Sequence, residues 1–240
     1  MVNTAIPDIS LIFPAYNEAA RIENTVNEAC AYFDAKGLTY QIVVAADGTD
    51  GTREIIQRMG QANPRISVVG NEERRGKGYG LRQAVPLCIG RYIGFSDADN
   101  KTPITEFDKV WPHLQAGTDL VIGQRPPGGQ LIEKQQKWYR QIGSQVFKIY
   151  MHLMVGLHDI FDTQCGFKFF KAGVARDLFS AQKLDGYMYD VEILYLAERR
   201  GYSIQQIEVR WRDDGDSRLN IVAGNIRNFS DVAKIRRLHP

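Results

Sequence analysis

The chain has 240 residues, of which 44% are hydrophobic and 24% charged, and 30 basic against 28 acidic residues leave a formal net charge of +2. That length suits one large domain that buries most of its apolar surface without disulfide bonds. The small net charge argues against bulk nucleic acid as a partner. No apolar run approaches the roughly 18 residues that a membrane-spanning helix needs, and the N-terminal sequence MVNTAIPDIS does not resemble a signal peptide.

The three cysteines, Cys30, Cys88 and Cys165, are scattered without the spacing of a metal site and cannot all pair with one another. They predict reduced thiols and a cytoplasmic protein. The basic C-terminal sequence KIRRLHP suits contact with an anionic surface, and it equally suits the solvated end of a helix. We therefore expect a soluble protein, or one bound peripherally at the cytoplasmic face of a membrane.

Strand-like segments alternate with helical patterns in the first half of the chain. The segments ISLIFP, YQIVVAA, ISVVG, YIGFS and DLVIG are typical of strands. Helical patterns fall between them, near residues 18–36, 51–59, 77–89 and 103–116. This rhythm predicts an α/β fold with a mainly parallel sheet and helices on both faces.

The rhythm changes after Gly123. A loop, RPPGGQ, precedes a long helical pattern at about 133–157, and the strand FKFF and helices near Ala172 and Asp190 follow. SIQQIEVRW is the last predicted strand, and a C-terminal helix is predicted at about 224–237. No repeat or linker divides the sequence, so we expect residues 1–240 to form a single domain.

Two carboxylates, Asp97 and Asp99, follow the strand YIGFS in the sequence SDADN. Residues at this end of a strand lie at the edge where open α/β sheets bind ligands. Two oxygen ligands at this spacing suit Mg²⁺ or Mn²⁺, with a diphosphate and water completing the coordination. The alternative is a solvated turn in which one aspartate caps the helix that begins near Pro103.

Polar residues follow the other strands as well. Pro14, Tyr16 and Glu18 lie at the end of the first strand, where an aromatic ring beside polar groups suits a nucleotide base or ribose, and Asp47 ends the second. Lys77 stands among three glycines in RRGKGYG, which suits a phosphate contact. The alternatives are helix caps, turns and a basic surface loop. Their shared position at successive strand ends favours one ligand site.

The helical pattern at 133–157 combines a wide apolar face with a narrow polar ridge. The ridge consists of residues spaced four apart: Arg140, Ser144, Lys148 and His152. Such a helix suits a membrane interface, where it would present cations to a lipid phosphate. A core helix with one solvated edge, or a dimer contact, is the alternative.

A series of motifs connects these features. PAYNE, ADGTDGT, RRGKGYG, SDADN, VIGQR, DTQCGFKFF and YMYDVEILYLAERRGYSIQQIEVRW occur in the order found in inverting family 2 glycosyltransferases with the GT-A fold. From Ile9 to about Arg236, the chain most resembles the polyprenyl- and dolichyl-phosphate glycosyltransferase branch. The resemblance implies metal-dependent transfer of a hexose, glucose before mannose, from a nucleotide-diphosphate sugar such as UDP-glucose to a polyprenyl or dolichyl phosphate.

The resemblance also implies roles for individual residues. Asp97 and Asp99 match the metal-binding aspartates, with Mg²⁺ or Mn²⁺ as the cofactor, and Arg125 matches a catalytic residue near the donor diphosphate. The positions that hold the nucleoside correspond to Pro14, Tyr16, Glu18 and Asp47, and Lys77 is assigned to the same donor. The positions near the acceptor phosphate correspond to Arg140, Ser144 and, in a C-terminal loop, Arg218.

Three positions depart from the family pattern. Ala46 stands where the second strand commonly has the first of two acids, and Gln124 replaces a usual serine. Lys101 stands where some mannosyl members have glutamine. These departures bear on base recognition and donor preference, and they leave both carboxylates in place.

The acceptor decides whether a general base is needed. A lipid phosphate is already anionic, whereas a hydroxyl acceptor, soluble or lipid, needs a carboxylate to take its proton. The candidates for that base are Asp162, Asp190 and Glu192. Two alternatives come from other classes, a sugar nucleotidyltransferase and a non-catalytic sugar-nucleotide-binding protein. The sequence does not determine the oligomeric state.

Overall fold

The computed structural model describes residues 5–125, 150–151, 153–212 and 221–240, and for residues 221–227 it describes the backbone only. The strands in these ranges are β1 (Ile9–Tyr16), β2 (Tyr40–Asp47), β3 (Ile66–Val69), β4 (Tyr92–Ser96), β5 (Leu120–Gln124), β6 (Phe167–Lys171) and β7 (Ile204–Glu208). The α-helices with described bounds are α1 (Ile22–Ala35), α2 (Thr52–Ala62), α3 (Lys77–Ala84), α4 (Phe107–Gln115), α5 (Ala172–Ala181), α6 (Tyr189–Arg199) and α7 (Ile221–Leu238).

All seven strands form one sheet in the order β3-β2-β1-β4-β6-β5-β7. Neighbouring strands are parallel except for β6, which is antiparallel to both β4 and β5. The predicted α/β fold with a mainly parallel sheet is therefore confirmed. The direction of β6 follows from its starting point. Residues just before β6 contact Arg125, directly after β5, so the chain starts this strand from the carboxyl edge.

The sheet separates two hydrophobic cores, because successive side chains of a strand point to opposite faces. In β2, Val43 and Ala45 belong to one core, whereas Val44 and Ala46 belong to the other. Helices α3, α5 and α6 contribute buried side chains to the first core, and α1, α2 and α4 contribute to the second. The prediction of helices on both faces is thus confirmed.

Several helix ends differ from the predicted ones. The pattern at 77–89 is an α-helix only to Ala84, and a 3₁₀ turn over Val85–Leu87 follows it. Pro86 lies in that turn and has no N–H to continue the helical hydrogen bonds. The pattern at 103–116 likewise begins with a 3₁₀ turn over Ile104–Glu106.

Most of the long helix predicted at 133–157 lies outside the described residues; of its C-terminal part, residues 150–151 and 153–155 are helical. The C-terminal helix α7 starts three residues before the predicted boundary near residue 224. Within the described ranges, no helix combines the length and apolar character needed to cross a membrane.

Strand β6 carries a lysine whose side chain is completely buried. Lys168 Nζ donates to Asp190 Oδ1 at 2.7 Å, to the carbonyl oxygen of Cys165 at 2.7 Å and to that of Thr163 at 2.9 Å. An ammonium group has three hydrogens, so all of them have acceptors. Lys168 thereby fixes the turn before β6 to the beginning of α6.

We expect Lys168→Met to lower the free energy of unfolding by about 3–5 kcal/mol, because it leaves Asp190 buried without its cationic partner. Chemical denaturation monitored by circular dichroism measures this change. Lys171→Met is the matched control from the same strand: Lys171 pairs with Asp119 at 2.8 Å but is partly exposed, so its loss should cost no more than about 1 kcal/mol. Equal unfolding midpoints for the two variants would contradict the structural role of Lys168.

Candidate functional site

The carboxyl ends of the parallel strands bring the predicted donor residues to one edge of the sheet. Tyr16 and Asp47 are directly paired at the ends of β1 and β2. Asp97 and Asp99 follow β4, and Arg125 follows β5. Lys77, at the start of α3, reaches the same place, because its Nζ lies 2.5 Å from Asp97 Oδ1.

Asp97 is held from the side of β6 by a glycine. The Asp97 backbone N–H donates to the carbonyl oxygen of Gly166 at 3.1 Å. A Cβ atom on Gly166 would lie within 2.5 Å of Oδ1, Oδ2 and Cγ of Asp97, closer than real Cβ atoms approach their neighbours. The glycine of the sequence DTQCGFK therefore gives the Asp97 carboxylate the space it occupies.

Asp99 lies beside Asp97 and is more buried. Burial, together with the negative charge of Asp97, raises the pKa of Asp99 above its ordinary value. The backbone N–H of Lys101 donates to Asp99 Oδ1 at 3.2 Å, and Lys101 Nζ lies 3.6 Å from Oδ2. The departure at Lys101 thus adds a positive charge beside the second aspartate.

The carboxylate pair has the chemistry that a divalent cation requires. Both groups are oxygen ligands, and their mutual repulsion, which contributes to the raised pKa of Asp99, is what a bound cation would relieve. Across the described ranges, no cluster of three or more histidine, cysteine or acidic side chains is placed to hold a metal. The residues present fit an Mg²⁺ or Mn²⁺ ion that takes its remaining ligands from a diphosphate and water.

Arg125 forms a two-pronged ion pair with Asp162. Nε and Nη2 of Arg125 donate to the two carboxylate oxygens at 2.6 and 2.8 Å, and the Arg125 backbone N–H donates to Oδ2 at 3.1 Å. The indole ring of Trp211 lies 5.5 Å from the guanidinium carbon. Burial alone would raise the pKa of Asp162, but hydrogen bonds and charge from Arg125 outweigh it and hold that pKa below its ordinary value. Asp162 therefore stays ionised and orients Arg125.

The other two candidates for a general base also hold parts of the protein together. Asp190 is buried against Lys168. Glu192 accepts hydrogen bonds from the backbone N–H groups of Lys183 and Leu184 at 2.8 and 2.9 Å, and His239 Nε2 lies 2.6 Å from its Oε1. These contacts give both carboxylates structural partners that the sequence pattern does not reveal.

Asp47 organises the loop that follows β3. Its Oδ1 accepts from the backbone N–H of Asn71 at 3.1 Å, and its Oδ2 accepts from that of Arg75 at 2.7 Å. The same loop brings the guanidinium of Arg74 over the ring of Tyr16, 4.4 Å from the ring centroid. The predicted nucleoside residues are thus linked to a basic loop that lies over the sheet edge.

The remaining nucleoside residues lie on β1 and just after it. Pro14 is half-buried within β1. The backbone N–H of Glu18 donates to Thr52 Oγ1 at 3.0 Å, and the Glu18 carboxylate lies 4.0 Å from Arg21 Nε. Ala46, the departure at the end of β2, is fully buried in the second core.

The glycines beside Lys77 pack against the protein chain itself. A Cβ on Gly76 would overlap with the carbonyl oxygen of Asp185, and one on Gly78 would lie 2.6 Å from that of Leu184. The sequence predicts that these glycines let the backbone approach a phosphate, which stays a prediction. Their neighbours in the structure lie within residues 182–189, before and at the start of α6, and this close packing sets the position of Lys77.

The predicted acceptor residues Arg140, Ser144 and Arg218 lie outside the described residues. Conversely, Gly166 and Lys168 contact or support the site and were not singled out from the sequence. Both residues belong to the motif DTQCGFK, of which only Asp162 and Cys165 were considered individually from the sequence.

Comparisons with known proteins show which family the chain belongs to. The profile of the family described as Glycosyl transferase family 2 matches residues 10–179. A dolichyl-phosphate beta-glucosyltransferase of Trichomonas vaginalis is 30% identical over 94% of this chain and 70% of its own length. The enzyme of that name from Dictyostelium discoideum is 29% identical over 95% of this chain and 73% of its own length.

Two solved structures share the fold. Mannosyl-3-phosphoglycerate synthase from Rubrobacter xylanophilus gives a TM-score of 0.68 at 17% identity, covering 97% of this chain and 74% of its own. Glucosyl-3-phosphoglycerate synthase from Mycobacterium tuberculosis, in complex with Mn²⁺ and UDP-glucose, gives 0.62 at 19% identity, covering 95% and 79%. The family match over most of the chain, together with the sheet and its structural neighbours, identifies the protein as a GT-A-fold glycosyltransferase that belongs to glycosyl transferase family 2.

Proposed function

We propose that this glycosyltransferase moves glucose from UDP-glucose to a polyprenyl or dolichyl phosphate, with inversion at the anomeric carbon. The observation that carries the proposal is the carboxylate pair Asp97 and Asp99, which lies at the carboxyl edge of the sheet together with Arg125. This arrangement occurs in a chain whose relatives over nearly its whole length are named dolichyl-phosphate beta-glucosyltransferases.

We assign the donor diphosphate to the space beside Asp97 and Asp99. These residues would hold Mg²⁺ or Mn²⁺, which when bound neutralises the charge that develops on the departing diphosphate. Arg125 is held rigid by Asp162, and a guanidinium fixed in this way suits the positioning of a second anion. Glucosyl-3-phosphoglycerate synthase, which shares this fold, was solved in complex with Mn²⁺ and UDP-glucose, the ion and donor proposed here.

A lipid phosphate suits this site as acceptor, because its oxygen attacks as an anion and no proton has to be removed. An acceptor that needs no base also suits the contacts of the three candidate bases. Asp162, Asp190 and Glu192 are each engaged by other groups of the protein. A hydroxyl acceptor would need one of them to be released. Arg140, Ser144 and Arg218 remain the proposed ligands of the acceptor phosphate.

We also propose that the protein meets its acceptor at a membrane surface. Leu153 and Phe161 are large apolar side chains that are 71% and 66% exposed, and Phe161 directly precedes Asp162 of the site. Exposed apolar side chains beside a lipid-phosphate site suit shallow contact with a bilayer.

The position of Asp162 leads to a specific kinetic expectation. Asp162→Asn should lower kcat/KM by about 10–100-fold, the size expected when a residue that orients an active group is lost, and the pH profile of kcat should keep its shape. Steady-state kinetics from pH 5 to pH 9 measure both quantities. Asp159→Asn, at an exposed position of the same loop, is the control and should leave both unchanged. Loss of the acidic limb of the profile in Asp162→Asn would instead identify Asp162 as a general base.

The proposed reaction is tested with a panel of radiolabelled sugar nucleotides and two lipids, polyprenyl phosphate and the corresponding polyprenol. We expect label from UDP-glucose to enter the organic phase with polyprenyl phosphate and not with polyprenol, with one UDP released for each glucose transferred. Transfer from GDP-mannose instead would correct the donor, and transfer to polyprenol would correct the acceptor. Release of inorganic diphosphate with formation of a sugar nucleotide would contradict glycosyl transfer.

A further inference from the structure

Lys77 forms an ion pair with Asp97, one of the two carboxylates assigned to the metal. Its Nζ is 2.5 Å from Asp97 Oδ1, and its side chain is only 18% exposed. The ring of Tyr189 lies behind the ammonium, 5.9 Å from Nζ to the centroid. The Lys77 ammonium is therefore paired with Asp97 and largely removed from solvent.

The backbone on both sides of Lys77 is closely packed, so the side chain is the part of this residue that can change partner most easily. Gly76 and Gly78 pack directly against the backbone of residues 184–185, and the backbone N–H of Tyr79 donates to the Asp185 carbonyl oxygen at 3.2 Å. A lysine side chain carries a compact charge on a flexible four-carbon stem, so its ammonium can change partner without a movement of the backbone.

The Asp97 carboxylate is bounded by Gly166 on the side of β6, whereas its other side is partly exposed. Gly166 lies so close that even a methyl group would overlap with all three carboxylate atoms. A divalent ion needs an oxygen at about 2.0–2.1 Å, and an ammonium at 2.5 Å occupies that side of Oδ1. Two cations at one carboxylate repel each other, so the ion and the Lys77 ammonium compete for Asp97.

We propose that Lys77 is an exchangeable counter-ion of Asp97, which yields this oxygen to the divalent ion when the donor's diphosphate offers the ammonium another partner. The inference rests on the proposed function for the identity of the donor and the ion. Lys77 would then influence the order in which the ion and the donor bind. The ion alone has to compete with Lys77 for Asp97, whereas an ion that arrives with the diphosphate does not, because the diphosphate binds the ammonium.

Lys77→Met tests the exchange, because methionine keeps the apolar length of the side chain and removes the charge. Mn²⁺ binding without nucleotide is measured by electron paramagnetic resonance of the free ion, and UDP binding without metal is measured by calorimetry in EDTA. We expect Lys77→Met to bind Mn²⁺ about tenfold more tightly, a change of about 1.4 kcal/mol, because the competing cation is lost. We expect it to bind UDP about threefold more weakly, because the diphosphate loses a cationic partner.

The opposite signs of these effects separate the proposal from simpler roles. If Lys77 had a purely structural role, Lys77→Met would bind both ligands more weakly. If Lys77 only contacted a phosphate, the variant would bind UDP more weakly and Mn²⁺ with unchanged affinity. Either result overturns the exchange. Lys183→Met, at an exposed position just before the same turn, is the control and should change neither affinity. Adding Asp97→Asn to Lys77→Met should abolish the gained Mn²⁺ affinity, which places the measured ion at Asp97.

The outcome is independent of sugar transfer. If the two affinities change as expected but no glucose reaches polyprenyl phosphate, the acceptor assignment fails and the exchange stands. If transfer occurs but Lys77→Met does not tighten Mn²⁺ binding, the exchange fails and the proposed reaction stands.

Discussion

Asp97→Asn should reduce glucose transfer by at least about a thousandfold while the protein remains folded. An asparagine keeps the size of the side chain and its hydrogen-bonding oxygen but removes the charge that attracts both Lys77 and a divalent ion. Electrostatic stabilisation of developing charge is usually the largest single contribution to catalysis, and in the proposed reaction it acts on the departing diphosphate. Asp99→Asn should have an effect of the same order, because we propose that the two carboxylates hold one ion.

The measurement is the initial rate of lipid-linked glucose formation at saturating Mn²⁺, with circular dichroism as the check on folding. Asp97 is partly exposed, so the variant should retain the wild-type spectrum. Activity within tenfold of the wild type in either variant would exclude the carboxylate pair as the metal site.

Gly166→Ala should reduce transfer by about a hundredfold and raise the Mn²⁺ concentration needed for half-maximal activity. The added methyl group overlaps with the Asp97 carboxylate, which has to turn away from its present position beside Lys77. A displacement of about 1 Å at a catalytic group costs about 10²-fold in rate. The raised Mn²⁺ requirement distinguishes a displaced ligand from general destabilisation.

Gly173→Ala is the matched control for this variant. Gly173 lies near the start of α5 and has no neighbouring atom within 4 Å of an added Cβ. Alanine in a helix is favoured over glycine by about 0.5–1 kcal/mol, so this change should leave activity intact and stability equal or slightly higher. Wild-type kinetics and Mn²⁺ dependence in Gly166→Ala would refute the account of how Asp97 is placed.

Local sequence patterns predicted most of the sheet and the edge at which the site lies. The strands β4 and β5 were predicted from apolar runs bounded by polar residues, and parallel pairing then required Asp47, Asp97 and Arg125 to lie at one edge. The antiparallel direction of β6 was not predicted, because an apolar run such as FKFF does not encode the direction of its partners.

Contacts between distant parts of the chain explain what the sequence did not reveal. Asp162 looked like a possible base because its partner Arg125 is 37 residues away, and Glu192 did so because His239 is 47 residues away. The sequence indicated only freedom of the backbone at Gly76 and did not single out Gly166, whereas their neighbours in the structure are the Asp185 carbonyl and the Asp97 carboxylate. A carboxylate or a glycine in a sequence does not show which group it will meet.

In the proposed site, Asp97 and Asp99 hold the metal-bound diphosphate of a sugar nucleotide. An anomalous difference map from crystals grown with Mn²⁺ and UDP-glucose tests this site directly. We predict one Mn²⁺ peak at about 2.0–2.2 Å from a carboxylate oxygen of each aspartate, in contact with the diphosphate and with Lys77 turned from Asp97 toward a phosphate oxygen. A nucleotide bound at another edge of the sheet, or a Mn²⁺ peak that contacts neither aspartate, would contradict the account.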